Sequence, residues 1–128
     1  MNISKRSQYG MRAMGFLAKN YGKKTLISSK DISKTEEIPL DFLEKILTDL
    51  EKAKLVKSKK GIGGGYFLAK SPAKITAKDI VDVLEDIIPV HCGMCGRLKQ
   101  CTSKNVWKKV EMSIDKTLKS ITLKKIIS

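Results

Sequence analysis

The chain has 128 residues, 41% hydrophobic and 30% charged, which fits one compact domain with a short appended element and leaves no room for a large enzyme. Its 26 Lys and Arg against 13 Asp and Glu give a formal net charge of +13, an excess that points to a polyanionic partner, nucleic acid first. The longest apolar stretches, such as Ile87-Ile88-Pro89-Val90, fall far short of the roughly 18 to 20 residues of a membrane span, and Met1-Asn2-Ile3-Ser4-Lys5-Arg6 is not followed by an apolar secretory segment, so a cytoplasmic address is expected.

From about Ser4 to Asn20, Tyr9, Ala13, Phe16 and Leu17 recur at helical spacing, and Tyr21-Gly22-Lys23 supplies a stop. Ser28 or Ser29 can cap a short second helix that carries Ile32 and ends near Glu37-Ile38. Pro39 suits the start of a third helix, because its missing N–H is not needed in a first turn. That helix places Leu43, Ile46, Leu47 and Leu50 on one face and ends near Ala53. Two helices joined by a tight turn make a helix-turn-helix.

Leu55-Val56-Lys57-Ser58-Lys59 reads as a strand, Gly61-Ile62-Gly63-Gly64-Gly65 as a turn, and Tyr66-Phe67-Leu68-Ala69 as the returning strand. A helix-turn-helix followed by a hairpin is a winged helix. The fold class expected is mainly α with a small β-hairpin, plus a long dimerisation helix. Five lysines and no acid occupy residues 52–60, which concentrates positive charge at the wing, where it can neutralise phosphates or enter a minor groove. A phosphate-binding glycine loop is excluded because those loops lead into a helix N-terminus, and this one leads into a strand.

Thr76 followed by Asp79 resembles a capping box, and Ile80, Val83, Leu84 and Ile87 stripe the helix it opens. Pro89 ends that helix. Further on, Trp107, Val110, Ile114, Leu118 and Ile121 recur at steps of three and four with charges between them. So narrow an apolar seam calls for a partner helix, and a homodimer is expected. The chain divides into a winged-helix unit over 1–88, a cysteine loop over 89–102, and a dimerisation helix with its tail over 103–128.

All three cysteines, Cys92, Cys95 and Cys101, stand in that loop, preceded by His91 and interleaved with Gly93 and Gly96. Clustered thiols in such a chain argue for metal or thiol chemistry rather than a disulfide framework. Thiolates suit zinc or an iron–sulfur cluster, not magnesium or calcium. Zinc ranks second, since neighbouring His91 and Cys92 chelate one tetrahedral ion only with strain. Arg97 and Lys99 favour thiolate, which serves a metal or a redox switch alike. A thiol oxidoreductase built on Cys92 and Cys95 would lack its strand–helix context.

These residues together resemble the Rrf2 family of winged-helix regulators over nearly the whole chain. The resemblance rests on Ser4-Lys5-Arg6-Ser7-Gln8-Tyr9-Gly10-Met11-Arg12-Ala13, on Phe42-Leu43-Glu44-Lys45-Ile46-Leu47, and on the wing Lys60-Gly61-Ile62-Gly63-Gly64-Gly65-Tyr66. The cysteine trio before Val106-Trp107 and the closing Ser120-Ile121-Thr122-Leu123 complete it. It implies a transcriptional regulator, not an enzyme, that reads an inverted-repeat operator in double-stranded DNA as a dimer. On that resemblance the third helix enters the major groove with Asp41, Phe42, Glu44 and Lys45. Lys59, Lys60, Gly61, Ile62, Gly63 and Tyr66 belong to the wing, and Ser4, Lys5, Tyr9, Ser28 and Pro39 complete the DNA-binding set. It further implies an iron–sulfur cluster on the three cysteines, with the operator affinity answering to iron status, nitric oxide or redox state.

The sequence departs from relatives at several places. Lys104 stands where some carry a ligating His, Gln8 where others carry an acid, and Lys60 and Ile62 where Arg and Pro are frequent. The fourth ligand stays open among His91, Gln8, Glu85, Asp86 and an external thiol, and a two-iron or four-iron cluster stays open with it.

Overall fold

The computed structural model describes residues 3–23, 26–85 and 103–128. Their elements run in order α1 (Lys5–Lys19), α2 (Ser29–Glu36), α3 (Leu40–Lys52), β1 (Val56–Lys59), β2 (Gly65–Leu68), α4 (Ala77–Leu84), α5 (Lys104–Ser120) and α6 (Leu123–Ile127). Each expected element is present, within a few residues of its expected ends.

Local chemistry explains the boundaries. Ser4 caps α1 by accepting from the Ser7 N–H, and Ser28 caps α2 by accepting from the Asp31 N–H at 3.1 Å. Pro39 stands one position earlier than expected. It is the N-cap of α3, extended at φ −54° and ψ 129°, and its carbonyl accepts from the Leu43 N–H at 2.9 Å. Between α2 and α3 the turn is made by Glu37, held left-handed at φ 55°, and by Ile38, which is buried and bonded to Ser33 through its N–H. Such a left-handed residue closes a helix and redirects the chain at once.

The core is a single apolar cluster. Met14 and Leu17 of α1, Ile32 of α2, Leu43, Ile46, Leu47 and Leu50 of α3, Val56 and Leu68 of the hairpin, and Ile80 of α4 are buried together. Strands β1 and β2 pair antiparallel, Val56 opposite Leu68 and Lys59 opposite Gly65. Ile27 bridges to Tyr66 on the outer edge of β2, with the Tyr66 N–H donating to the Ile27 carbonyl at 2.7 Å. The expected return strand therefore begins one residue earlier, at Gly65. A Cβ at Gly65 would lie 2.5 Å from the Ile27 carbonyl oxygen, so only glycine permits this approach.

Helix α4 opens with the expected capping box: Thr76 Oγ1 accepts from the Asp79 N–H at 3.2 Å, and Asp79 Oδ2 accepts from the Thr76 N–H at 3.0 Å. It stops at Leu84, short of the expected end at Pro89, and Glu85 is already extended; Ile87 and Pro89 lie outside the described residues. The sequence pattern carries the C-terminal helix through Ile121, but the structure ends α5 at Ser120. Ile121 is extended at φ −104° and ψ 114°, its carbonyl accepts from the Ala77 N–H at 2.7 Å, and the Leu123 N–H donates to the Ile75 carbonyl at 2.9 Å. Thr122 then caps α6, and Leu123 is fully buried in the winged-helix core. The tail grouped with the dimerisation helix thus packs on the N-terminal unit. No helix of the described residues is long and apolar enough to cross a membrane.

Candidate nucleic-acid interface

The inward face of α3 is apolar, so its outward residues are free to meet a partner. Pro39, Asp41, Phe42, Glu44 and Lys45 are all exposed. Phe42, a large apolar ring left 39% exposed, is held in place: Tyr9 of α1 meets it edge-on with ring centroids 5.5 Å apart. The Arg12 guanidinium lies 5.2 Å from the Tyr9 ring centroid and donates to the Glu36 carbonyl at 2.9 Å. Arg6 forms an ion pair with Asp49 of α3. Beside this pair an open groove of about 500 Å³ is lined by Arg6, Asp41, Glu44, Lys45, Thr48 and Asp49.

Helix α3 is itself acidic in balance, with Asp41, Glu44, Asp49 and Glu51 against Lys45 and Lys52. In a chain of net charge +13, such a helix suits base edges better than phosphates, since carboxylates accept from exocyclic amino groups in the major groove. Exposed positive charge lies elsewhere. Lys57, Lys59 and Lys60 are exposed on and beside the hairpin, and Ile62 projects fully into solvent at its tip. Gly61 and Gly63 take φ of 102° and 76° there, a region that side chains disfavour. At the base of the wing Tyr66 is half-buried, and its hydroxyl pKa is raised by burial and by the charges of Glu51 and Glu44. The wing root and α3 therefore lie close together.

Other residues of the expected DNA-binding set have local duties. Ser4 and Ser28 are helix caps, and Lys5 is exposed in the first turn of α1. Of the expected dimer residues, Val110, Ile114 and Leu118 are half-buried on α5 and Trp107 is exposed. Ile121, half-buried, lies beyond the helix end. Not one residue described on α5 is buried, and Val106 and Met112 add exposed apolar surface. The helix is tied to α4 by Lys78, which pairs with Asp82 and, at 3.0 Å, with Asp115. Asp115 also pairs with Lys119 at 2.9 Å.

Cys92, Cys95, Cys101, His91 and Asp86 lie outside the described residues. Among the described residues, no group of three or more His, Cys, Asp or Glu is placed to hold a metal. Gln8 is exposed on α1, its Nε2 donating to the Ile3 carbonyl at 2.9 Å, and both oxygens of Glu85 are engaged by Ser4. Three thiol donors within ten residues remain a donor set chemically suited to a thiolate-ligated cluster.

Arg6, Arg12 and Asp49, which brace α3 and Tyr9, and Glu85, which the sequence offers only as a cluster ligand, make contacts that spacing does not announce. Arg12 carries a faint signal, standing three residues after Tyr9 and so on the same helix face. Pairings such as Arg6 with Asp49 span far too much chain for spacing to reveal.

A helix-turn-helix with an exposed second helix, followed by a hairpin with a basic tip, defines the winged-helix DNA-binding regulators. The profile of the Rrf2 family, described as an iron-dependent transcriptional regulator, matches residues 3–128. The sequence is 32% identical to Protein rrf2 of Nitratidesulfovibrio vulgaris across 96% of this chain and 85% of that one. The solved structure of T. potens IscR superposes with a TM-score of 0.83 at 35% identity, covering 99% of this chain and 86% of that one. That of CymR, the global cysteine regulator of B. subtilis, superposes at 0.84 with 34% identity, covering 99% of this chain and 96% of that one. The chain belongs to the Rrf2 family of transcriptional regulators.

Proposed function

We propose that the chain acts as a homodimer that reads an inverted-repeat operator, and that Cys92, Cys95 and Cys101 hold an iron–sulfur cluster on which operator affinity depends. The observation that carries the DNA-reading part is the exposed, braced Phe42 on α3, flanked by Asp41, Glu44 and Lys45. Its position on the outer face of the second helix of a helix-turn-helix is where base contacts are made in this class. The lysines of the wing supply phosphate contacts, and the glycines at its tip let the backbone approach a groove closely.

The dimer is supported by α5, whose apolar side chains are at most half-buried among the described residues. Two copies joined through Trp107, Val110, Ile114 and Leu118 would present two α3 helices to a palindrome. The sensing part draws on the family's description as iron-dependent and on the three thiols. The fourth ligand is taken from His91, Gln8, Asp86 or an external thiol, the carboxylate of Glu85 being occupied by Ser4. When bound, such a cluster supplies a centre that iron shortage, oxygen or nitric oxide dismantles. The cysteine segment joins α4 to α5, so a change within it alters how the two recognition helices are spaced across the dimer.

A second reading, a zinc- or thiol-based switch of the same fold, draws on the two-residue spacing of Cys92 and Cys95. Anaerobic purification with iron, sulfide and zinc analysis and visible absorption separates the two. Coloured protein with iron and sulfide in equal amounts is expected; colourless protein with one zinc per chain contradicts the cluster.

A further inference from the structure

Helix α1 starts against its own electrostatics. Its first turn holds no acid and carries Lys5 and Arg6, at the end of the helix where the dipole disfavours cations. The compensating charge comes from 81 positions away. Both carboxylate oxygens of Glu85 accept from the Ser4 N–H at 3.1 Å, and Oε2 also accepts from Ser4 Oγ at 3.3 Å. Ser4 Oγ in turn accepts from the N–H of buried Ser7 at 3.2 Å. One helical turn further, Leu84 occupies the notch left by Gly10, where a Cβ would stand 2.1 Å from Leu84 Cδ1. The exit of α4 is therefore fastened to α1 at two successive points.

The same turns of α1 brace α3, through Arg6 on Asp49 and Tyr9 on Phe42. We propose that Glu85 is a positioning residue for DNA binding: by clasping the N-terminal turn of α1 it fixes the pose of α3, and specific affinity is lost when the clasp opens. This rests on the reading of α3 as the recognition helix. Three residues separate Glu85 from the cysteine loop of residues 89–102, so the clasp lies close in the chain to the proposed sensing segment and is hydrogen-bonded to the proposed DNA-reading unit.

The test compares the full chain, prepared anaerobically with iron and sulfide, with Glu85→Gln, Glu85→Asp and Gly10→Ala. The probes are a duplex enriched by the unaltered protein from a random-sequence library and a duplex of random sequence. Removing a negative charge should, by electrostatics alone, strengthen DNA binding. The clasp predicts the opposite for Glu85→Gln: about a tenfold loss on the enriched duplex, the scale of a charge-assisted hydrogen bond, with less than about a twofold change on the random one.

Iron content should stay at the level of the unaltered protein and the melting temperature should fall by only several degrees, while the amides of residues 4–8 exchange faster. Glu85→Asp restores part of the loss. Gly10→Ala, which displaces Leu84 with Glu85 intact, shifts affinity in the same direction and carries the test if Glu85→Gln does not fold. Unchanged affinity for the enriched duplex, an equal loss on both duplexes, or a fall in iron content assigning Glu85 to the metal would each overturn the clasp. A library that yields no enriched duplex overturns the reading of α3, and the clasp falls with it.

Discussion

Phe42 is where the packing of the domain and the proposed reading of DNA meet. Its ring is spared from the core yet fixed by Tyr9, an edge contact that contributes about 0.5–1.5 kcal/mol. Phe42→Ala should therefore lower stability only by about that amount in urea unfolding, while operator affinity falls by about tenfold or more. Loss of stability without loss of affinity would place the ring outside the interface. A different residue-scale device ties α5 to α4. The hydrogen bonds from Lys119 and Lys78 hold the Asp115 carboxyl below the usual carboxylate range, and those to Asp82 and Asp115 raise the Lys78 ammonium. A depressed acid stabilises the folded state above its unfolded pKa and loses that contribution as pH falls through the folded one. Lys78 contributes below its unfolded pKa and loses its part only as pH rises through the raised folded value. The clip therefore holds at neutral pH and weakens in acid. Asp115→Asn should flatten the acid limb of a stability–pH curve, and an unchanged acid limb would show that the pairs are only surface decoration.

Among the elements, those with a strong period were legible in the sequence. The stripe Leu43, Ile46, Leu47, Leu50 and the Thr76–Asp79 box mark α3 and the start of α4 as the structure has them, because burial and capping each leave a local signature. The end of α5 was not legible. Ile121 continues the apolar spacing, yet its backbone is drawn out by the hydrogen bonds at Ala77 and Leu123, a tertiary demand invisible to periodicity. The wing was legible as a glycine cluster, but the reason for Gly65 lies in the carbonyl of Ile27, a neighbour far off in the chain. Two element-scale predictions separate the proposed roles. Lys59→Ala or Lys60→Ala should reduce the salt dependence of DNA binding by about one unit for each phosphate no longer neutralised, and so about two in a symmetric dimer. An unchanged slope would move the phosphate contacts elsewhere. Ile114→Asp should convert dimer to monomer in sedimentation, with a shift in emission of Trp107, the single tryptophan. An unchanged sedimentation profile would contradict the α5 interface.

At the scale of the whole molecule, the chain closes on itself: residues 121–128 return to the N-terminal unit and seat Leu123 in its core. Leu123→Ala should cost about 2–5 kcal/mol in urea unfolding, whereas a detached tail would lose almost nothing. Charge is divided between elements, the acidic balance lying on α3 and α4 and the basic excess spread over the wing, α1 and the C-terminal helices. That division predicts a regulator whose general attraction to DNA and whose sequence preference come from different elements. Competition between the enriched duplex and random duplex at moderate salt tests it most directly. The enriched duplex should be bound at least about a thousandfold more tightly. Affinities within a few-fold of one another would contradict it, leaving a basic protein that coats DNA without reading it.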